Sequence, residues 1–69
     1  MSEAEFENFY KERLEEKIIL CLAKRRNIDF QKALDIYYNS HLATLIEQGA
    51  YGIHYLDYQV LTNELEKEI

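Results

Sequence analysis

Cys21, His41 and His54 are the side chains of this sequence best suited to hold a metal or to attack a carbon centre, and their spacing limits both. A zinc site gathers three or four ligands, usually through short local spacings such as C-x2-C or H-x3-H. Here the nearest pair, His41 and His54, is thirteen residues apart. No metal and no cofactor are therefore expected. His41 reads as a helix-surface residue and His54 as a loop residue packed on tyrosines.

Covalent catalysis by Cys21 would need a base or a positive neighbour to form the thiolate. Cys21 lies instead in Ile18-Ile19-Leu20-Cys21-Leu22-Ala23, an apolar run in which it reads as a small buried hydrophobe. Carboxylates are plentiful, but on amphipathic helices they are expected to be solvated. With two glycines in the whole chain there is no glycine-rich phosphate loop. The expectation is that the protein is not an enzyme.

Two sets of residues could carry binding. Lys24, Arg25, Arg26 and Lys32 form a basic patch around a turn, with Phe30 close by. A helix-turn-helix reading would use residues 30 to 48, yet its second helix, from His41 to Gln48, holds no Lys or Arg and carries Glu47. The patch also suits a helix C-terminus, where cations oppose the macrodipole. Tyrosine is the second set: Tyr37, Tyr38, Tyr51, Tyr55 and Tyr58 fall within 22 residues, with Tyr10 upstream. Tyrosine combines large contact area with a polar tip and suits interfaces, although it also serves as core rim. Tyr38, Tyr51 and Tyr55 are the candidate partner surface, with Tyr37 assigned to the core beside Leu34.

The elements that must position these residues follow from charge and periodicity. The net charge is −5, with −4 on residues 1 to 16, +4 on residues 17 to 32 and −5 on the rest. An acidic total opposes general polyanion binding. With a lone cysteine no internal disulfide is possible, so a reducing cytoplasm is the expected location. No leader is visible, and six apolar residues fall far short of the roughly 20 that a membrane span requires.

Ser2 and Glu5 fit a capping box. From there Phe6, Tyr10, Leu14, Ile18 and Leu22 recur at helical spacing, with Phe9 and Cys21 on the same side and Glu3, Glu7, Lys11 and Glu15 on the polar face. A long helix over about Ser2 to Arg26 results. Asn27 closes it in the left-handed conformation, and Asp29 caps a second helix bearing Phe30, Ala33, Leu34 and Tyr37. Ser40 caps a third bearing Leu42, Leu45 and Ile46, with a break or kink at Asn39-Ser40. Gly49 to Gly52 reads as a turn and Ile53 to Leu56 as extended chain. Asp57 caps a last helix with Tyr58, Leu61, Leu65 and Ile69 in phase. The fold class is all-α, a single helical domain over residues 1–69 with three to four helices around the long first one.

The segment Ala33-Leu34-Asp35-Ile36-Tyr37-Tyr38-Asn39-Ser40, then Leu45-Ile46, Tyr51-Gly52-Ile53-His54-Tyr55-Leu56 and Tyr58, resembles a family of small uncharacterised bacterial helical proteins. The likeness spans roughly residues 18 to 65. Such proteins are often encoded beside ADP-ribosyltransferase-like proteins, which implies an antitoxin-like or accessory role and no catalytic residues. The long acidic helix start departs from that pattern. The expected function is therefore a protein-binding module that occupies a partner protein's surface. The alternative is a small DNA-binding transcriptional regulator, although nucleic acid is the less expected partner. A homodimer is also expected, because Ile19 and Leu20 point away from the main stripe and need cover.

Overall fold

A computed structural model describes the backbone of residues 3–69 and the side chains there except those of residues 3–8, 50, 51 and 54. The Ser2–Glu5 capping box and the side chains of Phe6, Tyr51 and His54 lie outside the described residues. Four α-helices follow in order, α1 (Glu3–Arg26), α2 (Phe30–Tyr38), α3 (His41–Gln48) and α4 (Tyr58–Glu66), with a 3-10 turn over Ala50–Tyr55 before the last. There is no strand among the described residues, and the protein is a small all-α bundle.

The local signals work as their chemistry requires. Asn27 takes a φ of 54° and ends α1. Asp29 accepts from the Lys32 N–H at 2.7 Å and starts α2. Ser40 accepts from the Ala43 N–H at 3.1 Å, so the chain breaks at Asn39-Ser40 and α3 begins afresh. Gly49, at φ 64°, closes α3 in the left-handed region that a missing Cβ makes inexpensive. Asp57 accepts from the Gln59 N–H at 2.7 Å and starts α4. The expected extended segment is a correction: residues 53 to 55 complete the 3-10 turn, and only Leu56 is extended. A backbone this short without a sheet edge gains hydrogen bonds by coiling.

At 24 residues α1 is about 36 Å long and sets the 37 Å long dimension of the molecule. Its apolar run leaves no polar face, so α2 packs along one side and α4 along the other, while α3 closes the bundle between them. Ile18 and Leu22 are fully buried among Tyr37 of α2, Ile46 of α3, and Leu61 and Leu65 of α4. The Thr62 hydroxyl is buried too and donates to the Tyr58 carbonyl at 2.7 Å.

Several expectations for α1 change here. Ile19 is 2% exposed within one chain, because α2 reaches round to it; the run needs no second copy to cover that residue. Leu20 stays open at 44%. Cys21 is only half-buried rather than enclosed, since it turns toward the edge of α4. Phe9 and Tyr10, expected on the buried stripe, are exposed, and Phe30 at the first turn of α2 is exposed as well. Glu15 runs the other way, from the supposed polar face into the core at 6% exposure.

Candidate binding groove

The two sides of α1 differ chemically. Toward α2, the Tyr37 hydroxyl donates to Glu15 Oε2 at 2.6 Å in a buried pair. Burial raises the Glu15 pKa, the tyrosine bond opposes that rise, and the Glu47 and Glu12 carboxylates add to it. Tyr37 is held neutral far beyond the usual tyrosine range, first by burial and then by its bond to the Glu15 carboxylate. Tyr38 lies edge-on to Tyr37, ring centroids 5.2 Å apart, and its pKa is raised by burial and by Glu15, Glu47 and Glu12. A shallow dent of about 170 Å³, lined by residues such as Glu16, Leu34 and Tyr38, opens here.

Toward α4, the surface is open, aromatic and basic. A groove of about 480 Å³ lies between the middle of α1 and the chain entering α4, with Tyr10, Arg13 and Lys17 on one wall and Tyr55, Leu56 and Tyr58 on the other. The rings of Tyr10 and Tyr55 meet at 5.9 Å with a 43° tilt. The Arg13 guanidinium lies 5.5 Å from the Phe9 ring centre, and the Lys17 ammonium 5.9 Å from that of Tyr58, both within cation–π reach. A second groove of about 400 Å³, with Leu20, Cys21, Lys24 and Arg25 in its walls, shares Lys17 and Tyr58 with the first. The two form one furrow along α1.

The residues singled out in the sequence fall in different places. Tyr55 belongs to this furrow, Tyr38 to the opposite side of α1, and Tyr51 lies outside the described residues. Of the basic patch, Lys24 and Arg25 line the furrow. Arg25 also bonds Asn63 and reaches Glu66 at 3.4 Å, while Arg26 pairs with Glu66 at 3.8 Å. Lys32 is exposed on α2. Arg13, Lys17, Phe9 and Leu56 were missed. The signal that could have found the first two is the mixed charge of Glu12-Arg13-Leu14-Glu15-Glu16-Lys17, whose cations share one arc of a helix and whose acids share another.

His41 is exposed at the start of α3, where its backbone N–H and that of Leu42 donate to the Glu68 carboxylate at 2.7 and 3.0 Å. Among the described residues no three His, Cys, Asp or Glu side chains come close enough to hold a metal ion. No described helix is long and apolar enough to cross a membrane. No family model, curated protein or solved structure matches this chain.

Proposed function

We propose that this chain is a non-enzymatic protein-binding module, antitoxin-like or accessory in manner, that acts by occupying the surface of a partner protein. The observation that carries this reading is the furrow on the α4 side of α1. Phe9, Tyr10, Leu20, Tyr55 and Leu56 are all exposed there, although the core of Ile18, Leu22, Tyr37 and Leu61 is closed without them. Large apolar side chains gathered in one furrow, when the core does not need them, mark a contact surface. A lone Cys21 fits a reducing cytoplasm as the place of work.

The DNA-binding alternative has less behind it. The second helix of the candidate motif, α3, offers His41, Thr44, Glu47 and Gln48 outward and no cation, and two of the patch arginines reach Glu66. The homodimer loses the argument from Ile19 and keeps only the exposed Leu20. Affinity recovery with two baits tests the reading: the natural chain and a Tyr55→Ala, Leu56→Ser variant. A protein retained by the first and lost from the second is the expected result. Retention of nucleic acid that falls steeply with salt, or identical recoveries from both baits, overturns it.

A further inference from the structure

The furrow's charge and repeat narrow the kind of partner it fits, an inference that rests on the protein-binding reading above. Among its described lining residues are four of the eight cations in the chain, Arg13, Lys17, Lys24 and Arg25, the last also reaching Glu66 at 3.4 Å, against Asp57 as the acid. The described lining therefore sums to a formal +3 in a chain whose net charge is −5. The contrast is local and large: a basic, aromatic strip on an otherwise acidic body.

The strip also has a period. Along α1, Tyr10, Arg13, Lys17, Leu20 and Lys24 follow spacings of three, four, three and four residues, the seam on which a second helix lies lengthwise. From Phe9 to Lys24 it covers 16 residues, about 24 Å or four to five helical turns. The wall opposite is apolar and aromatic, supplied by Tyr55, Leu56 and Tyr58.

We infer that the furrow receives an amphipathic helix of about four turns from a partner protein, with Leu- or aromatic-type residues on one face and Glu or Asp flanking them. Its apolar face meets Tyr10, Leu20 and Leu56, and its carboxylates meet Arg13, Lys17 and Lys24. An acidic helix is repelled by the rest of the surface, so the charge pattern steers it to this strip and sets specificity. A second copy of the chain is a poor occupant. A two-fold contact centred on the furrow brings two basic strips together, with Lys17 against its own counterpart at the axis. A single-stranded polynucleotide would stack on the aromatics, but its backbone leaves Leu20 and Leu56 uncovered and is opposed by the net charge of −5.

The test is a displayed library of 16-residue helices with Leu fixed along one face and Glu or Lys drawn at random beside it. It is selected on the natural chain and on an Arg13→Glu, Lys17→Glu variant, both exposed positions. Glu should be enriched at least tenfold over Lys on the natural chain, the recovered peptides should lose at least tenfold in affinity for the variant, and the variant should select Lys. Backbone amide shifts on binding should cluster at residues 9–25 and 55–58. No enrichment, no charge preference, or equal binding to both chains overturns the inference. Peptides that ignore the variant but are lost on Tyr38→Ala overturn the furrow and leave the protein-binding reading standing. Strong, salt-sensitive binding of a 16-nucleotide oligothymidylate without peptide enrichment removes both. Sedimentation of the chain alone covers the remaining occupant: a dimer dissolved by the variant overturns the inference in favour of self-association.

Discussion

The α2 side of α1 and the α4 side are built from the same stretch of helix, yet one is closed, acidic and internally bonded while the other is open, basic and aromatic. Glu12, Glu15 and Glu16 turn toward α2; Arg13 and Lys17, interleaved with them, turn toward α4. Counted along the chain, these charges nearly cancel. Counted around the helix axis, where neighbours stand 100° apart, they separate into two faces of opposite sign. One side is closed over the core and the other keeps an exposed furrow.

The largest effect belongs to the residue both sides share. Leu22, fully buried, should cost about 2–5 kcal/mol when cut to alanine. A chain of 69 residues has on the order of 3–10 kcal/mol in all. Urea unfolding of Leu22→Ala should therefore start near or below the native baseline, with circular dichroism as the readout. A variant that melts like the natural chain would show that the core is not where these contacts place it.

Next comes the closed side. Tyr37→Phe removes the donor to a buried carboxylate and should cost about 1–3 kcal/mol. Its companion is Glu15→Gln, which keeps an acceptor for Tyr37 and discards the charge. The raised Glu15 pKa means that the folded state holds this proton more tightly than the unfolded one. That contribution is fully present below pH 4.5, the ordinary glutamate value, and is lost as pH rises through the folded value. Glu15→Gln should accordingly raise the melting temperature at pH 7 and leave it nearly unchanged at pH 4. A loss at pH 7 would mean that the ionised pair stabilises the core. Tyr37, also raised, should make the fold weaken above pH 10 as unfolded tyrosine ionises.

Cap removal ranks third. Glu68→Ala strips two acceptors from the N-terminus of α3 and should cost about 0.5–2 kcal/mol, measured by the same unfolding curves. Smallest is the open side: Arg13→Glu or Tyr55→Ala should stay within about 0.5 kcal/mol, because both are exposed and outside the core. A large loss from either would make the furrow a structural feature and erase the contrast between the two sides.

How much of this was legible depends on the reach of each interaction. Asn27, Asp29, Ser40, Gly49 and Asp57 act on the nearby backbone, and reading them one at a time placed the α-helix boundaries from Arg26 to Tyr58, though not the 3-10 turn between α3 and α4. Glu15 and Glu68 act on partners 22 to 27 residues away. A four-residue polar stripe placed Glu15 in water because nothing local announces a tyrosine hydroxyl waiting on another helix. The furrow was missed for a related reason. Tyr10 shares its arc with Leu14, and the length of α4, nine residues against 24 in α1, leaves that end of the stripe uncovered.

The Glu68 cap has a kinetic side. An eight-residue helix is too short to hold itself together in water, so α3 depends on a carboxylate delivered by the turn after α4. The His41 and Leu42 amides are thus protected only while that turn is docked, and their exchange with deuterated solvent reports its opening events. The same α4 supplies Tyr58, a wall of the furrow. If a ligand settling there holds α4 down, two amides outside the furrow will slow their exchange without lining it.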